Sequence, residues 1–524
     1  MSKKKTLKKK KKFLNAKMAT KKSKKKKASK KFSFLSKLQK VNQKRKKQSN
    51  KVKPKKKTQV RKVRARKVPG LGQRLTRAKI ISEKEREEQE ELLKKFDLRI
   101  LRGMQDILPE KMRYWDHVIK KIVELSESYG FKKIMLPIIE KRELFERATG
   151  ITTDVVEKQM YQFRDRAGNQ VVLRPEFTPG VARAYIEHGM FSLPQPVKLF
   201  YFGPLFRYER PQAGRYRQFY QFGLEVIGSE KSVIDAQLIL FSQTLFNNLD
   251  LKINIQVNSL GCLECRKPYR SKLVSYFKHK RRWLCPDCHR RLIKNPLRIL
   301  DCQKGSCQKL IQRAPQLVDS LCDDCQDHFV KTLEYLDEAN VVYSLNPYLV
   351  RGLDYYTRTV FELWPDRSQT DKKNNNLFGS QSALGGGGRY DNLIEGLGGR
   401  STPASGLACG IERIVEEIKI QKVKVPKVRP PQIFIAQIGE KASRRALKIF
   451  NELRQEKFKL AENFAKDSLK VQMEIAHKLG VKLTLIIGQQ EALDKTVIIR
   501  DMNTGNQEIV DQDKVAKELK KRLK

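Results

Sequence analysis

Four arginines stand within the twelve residues "FRYERPQAGRYR" (206–217), beside one glutamate and a Pro-Gly loop. Guanidiniums at this density suit phosphate oxygens, whether of a nucleic acid or of one small phosphorylated substrate; the plainer alternative is a solvated hairpin that binds nothing. Period-two alternation puts Arg207 and Glu209 on one face of a strand. It puts Arg215, Arg217, Phe219, Gln221, Gly223 and Glu225 on one face of the returning strand. Tyr216, Tyr220, Phe222 and Leu224 take the opposite, apolar face, with Gln218 among them. Guanidiniums, an aromatic ring, an amide and a carboxylate on one face suit a ligand with phosphates, a flat ring and a cationic amine better than they suit water.

Further stretches repeat that chemistry. "LRPEFTPG" (173–180) places Glu176 and Thr178 in a turn where each can accept from an amine. "LVRGLDYYTRTVFE" (349–362) sets Arg351 ahead of Gly352 and a tyrosine pair, as a loop leading into a strand. "GGGGRYDNL" (385–393) can bring backbone close to a ligand, although a glycine run is more often a flexible turn. "ASGLACGIERI" (404–414) passes from strand to helix, with Glu412 and Arg413 at the helix start, where an arginine can reach terminal phosphates.

Eight of the nine cysteines fall between 262 and 325: Cys262-x2-Cys265, Cys285-x2-Cys288, Cys302-x4-Cys307 and Cys322-x2-Cys325. Reduced thiols at these spacings present tetrahedral thiolates to zinc, and disulfides are the alternative in an oxidising compartment. Two sites of four thiolates, pairing successive knuckles, are the simplest arrangement; interleaved pairing or a single site also fits. The metal would be structural, since four thiolates leave no open position. His289 is an alternative ligand, and Cys409 reads as packed rather than reactive.

The elements that must position these groups divide the 524 residues unevenly. Met1–Ile80 holds 36 Lys and Arg and no acid, so the rest of the chain carries only +18 of the net +54. Such a segment cannot bury enough apolar surface to offset its ordering entropy; it is expected to be disordered and to bind polyanions, most simply RNA. A charged helical linker follows at 82–96. From Leu98 onward, a helix at about Lys111–Tyr129, the extended run "FKKIMLPIIE", extended stretches at 171–174, 197–202 and 206–225, a helix at 232–248 and the strand "INIQVNS" predict an α+β domain on an antiparallel sheet. Beyond the Pro- and Lys-rich linker 422–431, "QIFIAQIG", "KLTLIIG" and "KTVIIRD" alternate with helices as a small α/β domain. No apolar run is long enough for a signal peptide core or a membrane span, which points to a cytoplasmic chain without a membrane partner.

Taken together, these motifs resemble the histidyl-tRNA synthetase family of class II aminoacyl-tRNA synthetases. "FKKIMLPIIEKRELFERATG" resembles the dimer-forming first motif of the class, "FRYERPQAGRYRQFYQFGLEV" the second and "GLACGIERI" the third, while "LVRGLDYY" and "GGGGRYD" resemble the two histidine-specific signatures. The likeness runs from about Arg99 to the C-terminus. Glu176-Phe177-Thr178 departs from the family's usual Glu-Gly-Thr, and the lysine-rich tail is not part of the common core. The resemblance implies a Lys-rich extension and linker (1–97), a catalytic domain in two parts (98–261 and 344–425), a Cys-rich insertion domain (262–343) and an anticodon-binding domain (430–524). It implies that Arg207 and Arg351 approach the α-phosphate of ATP, Arg215 and Arg413 its outer phosphates, with Phe219 on adenine and Glu209 on the nucleotide. Glu176, Thr178 and Gln221 would hold the α-amine of L-histidine, beside Phe177. Gln221 and Arg351 would steer its carboxylate, and Glu225, Tyr355 and Tyr356 would frame the imidazole. Mg²⁺ would accompany ATP, zinc would be bound by Cys262, Cys265, Cys285, Cys288, Cys302, Cys307, Cys322 and Cys325, and the working form would be a homodimer charging tRNA. No protein nucleophile is required, in keeping with the lack of a Ser/His or Cys/His constellation. A regulatory paralogue or a noncatalytic RNA-binding sensor would share the fold but lose pocket residues, and none is visibly lost. Because every pocket residue so assigned lies outside the cysteine block, metal loss is expected to loosen that block before it affects the pocket.

Overall fold

The computed structural model describes residues 99–150, 153, 155–211, 214–366, 383–426 and 430–523. The basic segment and the linker at 82–96 lie outside the described residues, as does part of the 422–431 linker.

The first helix, Pro109–Ser128, starts with proline at its first turn and buries Trp115, Val118, Ile122 and Leu125. That 3-4-3 spacing is the apolar stripe of an amphipathic helix. The run after it breaks at 134–138 into two short strands, β1 (Lys132–Lys133) and β2 (Ile139–Lys141). Pro137, which cannot donate to a ladder, sits in the break. The strands β3 (Tyr161–Arg164) and β4 (Gln170–Leu173) join β2 in a small antiparallel sheet.

The main sheet contains β1, β5 (Val197–Phe206), β6 (Gln218–Ile227), β7 (Ile253–Ser259), β8 (Tyr343–Leu345), β9 (Thr357–Pro365), β10 (Gly385–Arg389) and β11 (Ala404–Gly410), in the order β1-β5-β6-β11-β10-β9-β7-β8. The expected antiparallel sheet is mixed at its edges, where β1 runs parallel to β5 and β8 parallel to β7. The six central strands are antiparallel. On β6, Phe222, Leu224 and Val226 enter a core shared with Pro109–Ser128, with the helix Ser232–Asn248 and with Ile411–Ile420. Gln221 and Glu225 therefore point to the other face, as alternation requires.

The glycine run is strand β10, not a flexible turn. A Cβ on Gly386 would lie 2.8 Å from Arg351 Nη1 and 2.4 Å from the Phe361 carbonyl, and one on Gly406 of β11 would lie 1.8 Å from Glu225 Oε2. Bare backbone in these two central strands leaves the room that Arg351 and Glu225 occupy.

At the C-terminal end, β12 (Ile433–Gln437), β13 (Leu460–Glu462), β14 (Leu483–Ile487), β15 (Thr496–Asp501) and β16 (Gln507–Asp511) form a sheet in the order β13-β12-β14-β15-β16. Its first three strands are parallel and packed on helices; the last two add an antiparallel edge.

Candidate active site

The sheet face away from the three helices floors a cavity of about 810 Å³. Glu176, Phe177, Thr178, Arg207, Glu209, Arg215, Phe219, Gln221, Glu225, Arg351, Tyr355, Tyr356 and Arg413 all line it. Residues from five separate stretches of chain thus converge on one space, which a solvated hairpin would not produce.

One end is built of carboxylates and hydroxyls. Glu225, 1% exposed, accepts from Thr178 Oγ1 and Tyr201 Oη at 2.8 Å each, and from Tyr390 Oη. Burial raises its carboxyl to about 7, even though all three hydroxyl donors favour the anion. Burial likewise raises Glu176 to about 7, against the pull of Arg207 and a 3.3 Å bond from Tyr355 Oη. Glu176 Oε1 is buried without a partner. Such an acceptor awaits a donor, and two buried carboxylates poised near neutrality suit a ligand carrying ammonium or imidazole N–H groups. The Tyr355 and Tyr356 rings stand 4.7 Å apart beside them. Phe177 is 3% exposed and stacks on Tyr201 at 4.3 Å, so its ring serves mainly as packing beneath this end.

The other end is cationic. Arg207 bonds the Pro175 carbonyl at 2.9 Å and lies over the Phe219 ring at 5.3 Å. Arg215 stands 3.6 Å from Glu209, and Arg413 is tied to the Gly214 and Ala383 carbonyls. Burial and the neighbouring Arg215 charge push the Arg413 guanidinium down, a strain that an anion would relieve. Arg351 lies between the two ends, 2.5 Å from Glu362 and 5.6 Å from the Tyr356 ring, with Nε buried and unpartnered. Burial alone would lower its pKa, but the Glu362 carboxylate and the tyrosines raise it, so it stays charged.

The hairpin departs from strict alternation. β5 ends at Phe206 and β6 begins at Gln218, and alternation is lost at the two residues that precede β6. Arg217 turns away, 3.9 Å over the Tyr208 ring and bonded to the Glu209 and Arg102 carbonyls, while Tyr216 lines the cavity instead. Sequence reasoning also missed Tyr201, Tyr390 and Glu362. A signal for Tyr201 existed in Gly223, its partner across β5 and β6, where a Cβ would meet Tyr201 Oη at 2.4 Å. Glu412 accepts from the Tyr220 N–H through both oxygens and so fixes β6 to the helix Ile411–Ile420.

The cysteines form two groups of four, each with its sulfurs within 4.8 Å of one another. Pairing of successive knuckles is corrected: the first knuckle joins the last (Cys262, Cys265, Cys322, Cys325), and the two middle ones join each other (Cys285, Cys288, Cys302, Cys307). The reason lies in the helices. Cys262 and Cys322 stand at the N-caps of Leu263–Lys278 and Asp323–Glu338, whose N-termini meet, while the second knuckle opens Pro286–Lys294, which lies between them in sequence. Sulfurs 3.5 Å apart for Cys262 and Cys265, and 3.8 Å for Cys285 and Cys302, match the spacing of about 3.8 Å set by four thiolates around zinc at 2.3 Å. All nine cysteines are free of disulfides, His289 is in neither group, and Cys409 is packed in the core.

The cysteine block is not remote from the cavity. Arg291, Arg298, Asp301, Gln303 and Gln308 line it too. The premise that every pocket residue lies outside that block is therefore corrected: residues 291–308, which include the second group's Cys302 and Cys307, contribute to the lining.

Comparison with known proteins agrees with this geometry. A family model described as histidyl-tRNA synthetase matches residues 103–263 and 292–414, and one described as an anticodon binding domain matches 432–522. The chain is 42% identical to a histidine–tRNA ligase of Thermodesulfovibrio yellowstonii over 78% of this chain and 94% of that one. It is 43% identical to that of Caldicellulosiruptor saccharolyticus over 80% and 99%. An apo histidyl-tRNA synthetase structure from S. aureus superposes with a TM-score of 0.66 at 35% identity, covering 80% of this chain and 99% of that one. With its carboxylate and arginine ends in one cavity on a class II sheet and an anticodon-binding domain at its C-terminal end, the chain belongs to the histidyl-tRNA synthetase family.

Proposed function

We propose that this chain ligates L-histidine to its cognate tRNA in two ATP-dependent steps. The histidine carboxylate attacks the α-phosphorus of ATP, forming histidyl-adenylate and releasing pyrophosphate. A ribose hydroxyl at the tRNA 3′ end then attacks the carbonyl carbon, and AMP leaves. The supporting observation is the meeting, in one cavity, of two buried carboxylates with an unpartnered acceptor and of Arg207, Arg215, Arg351 and Arg413. Glu176, Thr178 and Gln221 receive the α-amine, Glu225 with Tyr355 and Tyr356 the imidazole, and Arg351 the carboxylate. Arg207 and Arg351 stabilise charge at the α-phosphate, Arg215 and Arg413 hold the outer phosphates, and Phe219 and Glu209 meet the nucleoside. Catalysis in such a step is mostly positioning and charge stabilisation. Glu209 and Glu362 are the carboxylates on the arginine wall that would hold Mg²⁺ accompanying the nucleotide, where it would neutralise phosphate charge.

The reading extends to the chain's organisation: catalytic parts at 98–261 and 344–425, an insertion domain at 262–343 holding zinc through its eight thiolates, and anticodon reading by 430–524. It also includes a cytoplasmic homodimer formed through residues 131–150. Among the described residues, no helix is long and apolar enough to cross a membrane. Histidine-dependent ATP–pyrophosphate exchange tests the function. Exchange supported better by another amino acid, or none at all from folded, dimeric protein, would sink it, the latter in favour of a regulatory paralogue or a noncatalytic RNA-binding sensor.

The basic segment Met1–Ile80 is expected to add tRNA affinity without base choice. Its deletion should leave pyrophosphate exchange unchanged, weaken tRNA binding most at low salt and flatten the salt dependence, because fewer counterions are released. Titrations of full-length and truncated protein across a salt series check this. Identical slopes would assign the segment to another polyanion.

A further inference from the structure

The loop 351–358, which carries Arg351, Tyr355 and Tyr356, is held from the cysteine block on two sides. On one side, Arg266, next to Cys265, donates to the Tyr356 carbonyl and, at 3.2 Å, to the Leu260 carbonyl. Arg358 exchanges backbone hydrogen bonds with Leu260 and Gly261, and its guanidinium meets Asp324, between Cys322 and Cys325, at 2.5 Å. On the other side, the helix led by Cys285 ends at Asn295, whose amide donates to Asp354 Oδ1 at 2.9 Å. Arg298 reaches the Arg351 carbonyl at 3.4 Å, and Gln308 donates to the Cys302 carbonyl at 2.5 Å. Each group of four thiolates therefore anchors a different end of this loop. Arg207, Arg215 and Arg413 bond instead to Pro175, Glu209, Gly214 and Ala383, outside the block.

We infer that the two thiolate groups form a metal-loaded clamp on residues 351–358, which tunes the pocket's affinity for the amino acid more than for the nucleotide, whose outer phosphates meet arginines held from outside the block. The inference rests on the cavity being the histidine site. Structural zinc supplies folding free energy to the segment that ligates it. Without it, the N-termini of Leu263–Lys278 and Asp323–Glu338 lose the tie between them, and that of Pro286–Lys294 loses its tie to Cys302 and Cys307. Arg266 and Asn295 then no longer fix the backbone under Tyr356 and Asp354. Both act as positioning residues, since they touch the loop rather than the ligand.

The test begins with metal analysis of protein purified under reducing, zinc-replete conditions, where two zinc ions per chain are expected, one for each group. Chelator-stripped protein is then titrated calorimetrically with histidine and, separately, with ATP. Stripping should weaken histidine binding about tenfold or more, the scale for outer-shell partners of a metal site. ATP binding should change less than about twofold, and added Zn²⁺ should restore histidine affinity. Arg266→Met and Asn295→Ala should retain both zinc ions yet raise KM for histidine about tenfold, with KM for ATP unaltered. Metal-free protein with full histidine affinity, or variants that weaken both ligands equally, overturns the clamp alone. Zinc-loaded protein without histidine-dependent exchange overturns the reading of the cavity, and the clamp with it.

Discussion

Arg351→Lys should slow histidine-dependent pyrophosphate exchange by roughly 10²-fold or more, the scale for losing one oriented electrostatic donor. Lysine would keep the charge and could still pair with Glu362, now 2.5 Å from Arg351 Nη1. It would lose the planar fork, including the buried Nε that has no protein partner. One ammonium cannot hold Glu362, a carboxylate and a phosphate oxygen in the relative positions that a guanidinium fixes. The bare backbone of Gly386, placed where a Cβ would lie 2.8 Å from Nη1, shows how closely the sheet is fitted to that fork. Melting temperature should change little while the rate of adenylate formation falls; near-wild-type exchange would remove Arg351 from the chemistry.

Glu225→Gln should produce an equally large loss of histidine activation together with a gain in the stability of the ligand-free protein. The activity side follows from selectivity: a site whose buried acceptors match the ligand's donors loses discrimination and binding when one acceptor becomes a donor. The stability side follows from linkage. Burial raises the Glu225 carboxyl from 4.5 to about 7, so the folded state holds a proton that the unfolded state has released between those values. Stability attributable to this group is full below pH 4.5 and is lost as pH rises towards 7. Glutamine, isosteric with the protonated acid, does not suffer that loss. The difference in stability between variant and wild type should therefore grow from pH 5 to pH 8, by at most about 3 kcal/mol. Denaturant melts at several pH values read this directly, and a difference independent of pH would mean that Glu225 is not ionising on this scale. Histidine titration in the same buffers should show affinity falling below pH 7 in the wild type, as the carboxylate takes up its proton.

Where local periodicity governs, the sequence was an adequate guide. The helix Ser232–Asn248 and the strand Ile253–Ser259 lie where pattern put them, and β6 presents Gln221 and Glu225 opposite Phe222 and Leu224 because a ladder enforces parity. Arg207, Glu209 and Arg215 keep the expected facing, but parity failed at 216 and 217, just outside the strand that begins at Gln218, so Arg217 and Tyr216 exchanged roles. Of the hydroxyls that complete the shell of Glu225, Tyr201 is marked only by the bare Gly223 across the hairpin, and Tyr390 comes from 165 residues away, where no local pattern marks the meeting. The arrival of Arg298 and Asp301 at the cavity depends in the same way on tertiary contacts. So does the nested cysteine pairing, for spacing within a knuckle says which residues can ligate but not which knuckles meet.

That nesting carries a direction in time. Chain synthesis completes the inner set when Cys307 emerges and the outer set only at Cys325, and both precede Arg351. Thermodynamics favours the same sequence of events. Joining Cys285 to Cys302 closes 17 residues, whereas joining Cys265 to Cys322 closes 57, a difference of about 1 kcal/mol in loop entropy. Once the inner knot is tied, the outer loop is effectively shorter and its closure easier. A nascent chain can thus assemble this module from the inside outward and have its anchor points in place before the residues they hold have left the ribosome.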